Sequence, residues 1–186
     1  TGSIDKRHQF HRRNLGNGRK DCFRRGTFCS KEVAILDVKM LASLKGKNVF
    51  LTGATGGIGR ELAYQFARSG CNLFLTGRDR ERLSDLVDEI VSIDKHYGTT
   101  GFQAGDLENT QDVLSLVEGA NNCLGKIDIL VNCAGSFIVK PLFESSLDDF
   151  DMSFNVNVRA PFLFSREFAK SMSKSGWGRI INIGSS

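Results

Sequence analysis

The chain has 186 residues, 40% of them apolar, which is enough for one domain with a buried core. No stretch approaches the roughly 20 consecutive apolar residues of a spanning helix, so no membrane partner is expected. The formal charge of +4 is unevenly placed: residues 1–39 hold ten of the 25 Lys and Arg against four of the 21 acids. The remainder is mildly acidic and lacks the basic face of a nucleic-acid binder.

Residues 1–39 show little hydrophobic periodicity and read as a basic, flexible arm. Three readings of it are open. It is an Arg-rich organelle-import peptide, though poor in Ser and carrying acids; or a polyanion-binding tail; or foreign to the natural protein. The start at Thr1 and the position of Met40 favour the third. The five cysteines, Cys22, Cys29, Cys71, Cys123 and Cys133, form no metal-ligand spacing with the three histidines. Reduced, mostly buried thiols in a cytoplasmic compartment are expected, and no metal.

Beyond residue 46 the pattern alternates. An apolar strand over 48–52 runs into Gly53-Ala54-Thr55-Gly56-Gly57-Ile58-Gly59, and a helix over 58–69 follows, stopped by Gly70. Glycines let a backbone approach a pyrophosphate, and unpaired N–H groups at a helix start supply donors. A nucleotide cofactor is the first expectation, against a bare strand–helix turn. A second strand covers 72–76. The helix over 79–96 carries Leu83, Leu86, Val87, Ile90 and Val91 at helical spacing. A third strand covers 100–105. Asn109 then caps a helix whose inward stripe is Val113, Leu116, Val117, Ala120 and Leu124. The fourth strand, 129–133, is apolar nearly throughout, as strands covered on both faces are. A long helical region over 146–173 breaks near 157–161, where Pro161 removes a donor and clashes one turn back. The fifth strand covers 177–184. This alternation with short loops requires right-handed crossovers and a parallel sheet between helix layers: an α/β, doubly wound, Rossmann-like domain over 40–186.

Residues 45–186 resemble the short-chain dehydrogenase/reductase family, motif by motif. Thr52, Gly53, Gly57 and Gly59 fit its Thr-Gly-x-x-x-Gly-x-Gly turn. Gly53, Gly56 and Gly59 equally fit the Gly-x-x-Gly-x-x-Gly turn of the longer, epimerase-like branch. Asn132-Cys133-Ala134-Gly135 is similar to the Asn-Asn-Ala-Gly motif of the reductase branch, with Cys133 in place of Asn, and favours that branch. The resemblance implies strand order 3-2-1-4-5, with the family's last two strands missing. It implies that a dinucleotide rests on Gly53, Thr55, Gly56, Gly57, Ile58 and Gly59. Asn132 would hold the central strands together and, with Ala134 and Gly135, border the adenine ribose. Asp106, beside Leu107, would accept from the adenine amino group.

An acid after the second strand takes the ribose hydroxyls of NAD, whereas arginine accommodates the 2′-phosphate of NADP. Gly77 stands at the acid's position and Arg78 follows, so NADP is expected rather than NAD. Asp79 is either the cap of the next helix or a ribose ligand that weakens this preference. By resemblance, Asn157 is the active-site asparagine, at a kink whose exposed carbonyl holds a relay water. Ser185, counted from Gly178, is the catalytic serine, with Ser186 as the alternative. Its hydroxyl would donate to the substrate carbonyl oxygen as charge develops there. The chain ends before the family's Tyr-x-x-x-Lys motif, and Tyr64 and Tyr97 stand in the wrong segments. The piece is therefore expected to be an inactive, poorly soluble fragment with an open sheet edge. The whole protein is expected to be a homo-oligomer, tetramer or dimer, moving a hydride between NADP and a carbonyl/alcohol pair. The look is that of a 3-oxoacyl-carrier-protein reductase, with a small-molecule or acyl-thioester substrate. The alternatives are a non-catalytic nucleotide-binding or regulatory module and an epimerase-like enzyme.

Overall fold

The computed structural model describes residues 44–92 and 98–184. The expectations placed on residues 1–39, Cys22, Cys29, Tyr97, Ser185 and Ser186 lie outside them.

Strand and helix alternate in chain order: β1 (Asn48–Thr52), α1 (Gly57–Arg68), β2 (Asn72–Gly77), α2 (Arg80–Val91), β3 (Thr100–Ala104), α3 (Thr110–Leu124) and β4 (Ile129–Asn132). A 3₁₀ turn (Leu142–Glu144) leads to α4 (Leu147–Phe154), a π-helical turn (Asn155–Arg159), α5 (Ala160–Ser175) and β5 (Arg179–Asn182). All pairings are parallel, in the order β3-β2-β1-β4-β5. This is the expected doubly wound, Rossmann-like sheet.

The strands feed two cores because successive side chains point to opposite faces. Val49, Leu51, Leu73, Leu75, Ile129 and Val131 pack with Ala63 and Ala67 of α1 and with Leu83, Leu86 and Ile90 of α2. Phe50, Phe74 and Leu130 point the other way, onto α3 and α5. There the Phe50 ring lies 4.9 Å from Phe164 and 5.0 Å from Phe168. Burying each such side chain stabilises the fold by about 1.5–3 kcal/mol.

Three expectations need correction, and the expected helix break is refined. Val91, at the end of α2, is exposed, whereas Leu83, Leu86 and Ile90 are buried. The break in the long helix is the π turn, in which the Ala160 N–H bonds the Asn155 carbonyl five residues back. Pro161 follows it without a backbone donor, inside a run that is helical on both sides because Arg159 and Ala160 already have helical φ and ψ. The disturbance therefore falls one turn back, as expected. β5 is not sandwiched but exposed at every position. Of the described thiols, only Cys71 is buried, and burial pushes it up to about 11.

The helix starts differ in a way that positions the site. Asp79 caps α2 by accepting from the Arg82 N–H, and Asn109 caps α3 by accepting from the Gln111 and Asp112 N–H groups. Ser146 and Asp149 form a reciprocal capping box on α4. α1 begins at Gly56 with no side-chain cap and no acid in its first turn.

Candidate cofactor site

A cleft of about 510 Å³ opens at the carboxyl ends of β1, β2 and β4. Gly53, Thr55 and Gly56 of the glycine bend line it. Gly53 has φ +66°, and a Cβ there would lie 2.8 Å from the Ala134 backbone, so no other residue fits. Its carbonyl accepts the Gly56 N–H at 3.0 Å and closes the bend. Gly59 does not reach the cleft. A Cβ on it would lie 2.1 Å from the Gly53 carbonyl oxygen, so this glycine lets α1 pack against the bend. Gly57 and Ile58 are exposed and do not line the cleft, and a Cβ on Gly57 would meet nothing within 4 Å. The first-turn amides of α1 therefore have no side chain or carboxylate to satisfy them. An uncapped helix start behind an open glycine bend fits the diphosphate of a dinucleotide.

The β4 side is fixed by two hydroxyl and amide clamps. Thr52 Oγ1, buried at the end of β1, accepts from the Cys133 and Ala134 N–H groups, both at 3.0 Å. Asn157 Nδ2 donates to the Ser136 carbonyl at 2.8 Å, and its Oδ1 accepts the Ser136 N–H at 2.9 Å. Asn157 thus sits within the π turn with its side chain holding the loop after β4. Ala134 and Gly135 line the cleft, together with Cys133, whose thiol is pushed up by burial. Asn132 does not line it. Asn132 is 3% exposed and donates from Nδ2 to Asn182 Oδ1 at 2.8 Å, joining β4 to β5, while its own Oδ1 is buried without a partner.

On the β2–β3 side, Gly77, Arg78, Asp106 and Leu107 line the cleft. Asp106 Oδ1 accepts the Glu108 N–H at 3.0 Å, and its own N–H donates to Asp112 at 2.9 Å, which holds the turn after β3. Asp79 is the cap of α2.

Sequence reasoning missed four contributors. Thr52 stood in the turn motif without a role. Asn182 and Ser136 are partners visible only once the sheet and the π turn exist. Arg82 lines the cleft and donates from Nη2 to the Thr55 carbonyl at 3.0 Å. Its signal was its place three residues after a helix-capping Asp. Phe137, Met152 and Val156 give the lining an apolar stretch.

Residues 47–186 match the family model described as short chain dehydrogenase. The chain is 36% identical over 141 residues to the 7alpha-hydroxysteroid dehydrogenase of Escherichia coli, covering 75% of this chain and 53% of that protein. It is 34% identical over 147 residues to the 3-oxoacyl-(acyl-carrier-protein) reductase FabG of Aquifex aeolicus, covering 78% and 58%. A metagenomic short-chain oxidoreductase solved in complex with NADP superposes with TM-score 0.71 at 34% identity, covering 77% of this chain and 64% of that one. The chain spans about half the length of the curated relatives it matches.

Proposed function

Because the chain belongs to the short-chain dehydrogenase family, we propose that the whole protein is an oxidoreductase that uses NADP to interconvert a carbonyl and an alcohol. The single observation that carries this is the uncapped start of α1 behind the Gly53–Gly56 bend, opening into the same cleft as Arg78. The helix start would take the diphosphate, and the Arg78 guanidinium would take the 2′-phosphate by charge-assisted hydrogen bonds. Gly77 leaves no carboxylate at the ribose, which supports NADP over NAD.

Bound NADPH supplies the hydride. The chain's own residues position what receives it. Thr52 and Asn157 hold the 133–136 loop, and Ser185 is assigned the donor role toward the substrate carbonyl oxygen. Phe137, Met152 and Val156 suit an apolar flank on the substrate. The named substrates of the relatives differ, a hydroxysteroid in one and a 3-oxoacyl thioester in the other. Their common element is the carbonyl/alcohol pair, and a 3-oxoacyl thioester is the instance proposed here.

Calorimetric titration with NADPH and NADH tests the proposal. NADPH is expected to bind at least about tenfold tighter, and Arg78→Ala to remove most of that preference. Tighter NADH binding would refute the role of Arg78, and binding of neither would refute the cofactor assignment.

A further inference from the structure

Two of the three arginines at the start of α2 face the cleft. Arg80 places its guanidinium 5.7 Å from the centre of the Phe102 ring, whereas Arg78 and Arg82 line the cleft. Arg82 spends one of its five N–H donors on the Thr55 carbonyl. The nearest acid in sequence, Asp79, is engaged as the α2 cap through the Arg82 backbone N–H at 3.1 Å. Among the described residues no carboxylate forms an ion pair with Arg78 or Arg82.

The partner of Arg82 packs close against Gly77. A Cβ on Gly77 would lie 3.3 Å from Thr55 Oγ1, so the absence of a side chain at 77 leaves Thr55 where Arg82 reaches its carbonyl. Charge balance points the same way. Asp106 and Glu108 also line the cleft, so Arg78 alone would leave its lining net negative toward an incoming phosphate dianion. The second guanidinium removes that deficit.

We propose that Arg82, anchored on the Thr55 carbonyl, presents its free guanidinium edge to the 2′-phosphate as a second specificity residue beside Arg78. This rests on the NADP assignment above and extends it to a residue that also ties α2 to the glycine bend. Losing Arg82 therefore removes selectivity for the monoester phosphate, beyond any loosening of the bend.

Calorimetry with 2′,5′-ADP and 5′-AMP on the parent protein, Arg82→Gln and Arg82→Ala separates these effects, because Gln keeps a neutral donor for Thr55. Arg82→Gln is expected to weaken 2′,5′-ADP about tenfold and 5′-AMP less than about twofold, and to flatten the salt dependence of 2′,5′-ADP binding. Equal weakening of both probes would make Arg82 a brace for the bend only and overturn the proposal. Unchanged 2′,5′-ADP affinity in both variants would overturn it too. If the parent bound 5′-AMP as tightly as 2′,5′-ADP, or bound neither, the NADP assignment would fall first and this one with it. Circular dichroism melts of all three proteins check that substitution at this exposed position leaves the fold intact.

Discussion

Gly57 and Gly59 stand two residues apart in one bend, and their substitutions should differ sharply. Alanine at 59 would push a Cβ to 2.1 Å from the Gly53 carbonyl oxygen, a backbone atom that cannot swing away. Gly59→Ala is expected to destabilise the protein by about 1–3 kcal/mol or more in urea unfolding and to abolish NADPH binding. Gly57→Ala meets open space and should leave stability unchanged or raise it by up to about 1 kcal/mol. Equal losses for the two would contradict this packing. The glycines were legible in the sequence, but the two motif forms disagreed on Gly56 and Gly57. Both forms share Gly53 and Gly59, the two that sterics make obligatory. Thr52 was less legible, because accepting two N–H groups from another strand's loop leaves no local sequence pattern.

Among the elements, α4 offers a pH-dependent tie. The Lys140 ammonium, then the Ser146 backbone and hydroxyl, hold the Asp149 carboxyl down at about 2, below its ordinary 3.8. A depressed acid stabilises the fold above its unfolded pKa and loses that contribution as pH falls toward the folded value. The melting temperature of the parent should therefore exceed that of Asp149→Asn at about pH 6, and the gap should close between about pH 4 and pH 2. A gap constant with pH would refute the tie. Removing the cap hydroxyl in Ser146→Ala should cost about 1 kcal/mol of stability by chemical denaturation. The strands and helices themselves could be read from the sequence, since short continuous apolar runs separate cleanly here from apolar residues at a period of 3.6. Pro161 marked the break near 157–161 but not its π form, because one added residue in a helical run leaves no mark of its own. Val91 failed for a related reason: periodicity says which face a residue occupies but not whether the core extends that far.

At the scale of the whole molecule, large apolar side chains are exposed along one helical stretch and on the edge strand. Phe150, Phe154, Val158 and Phe162 recur at four-residue spacing along α4, the π turn and α5, and all are exposed. Among the described residues β5 pairs only with β4, and Ile180 and Ile181 are 40% exposed. Surface of this kind drives association. Sedimentation at micromolar concentration should show species larger than one chain, and Phe162→Glu should shift them toward single chains. A monodisperse monomer would refute this. The cleft's position followed from the sequence because ligands of doubly wound sheets sit beyond the carboxyl ends of the strands. Arg82 did not, since its reach to Thr55 exists only after α2 packs beside the bend. The central claim is that the bare start of α1 receives a dinucleotide diphosphate. Two-dimensional amide NMR of the protein titrated with NADPH tests it most directly. Saturable shifts should be largest at Gly56, Gly57 and Ile58 and extend to Ala134 and Gly135. Shifts absent from these amides, or centred instead near Trp177 at the opposite end of β5, would contradict it.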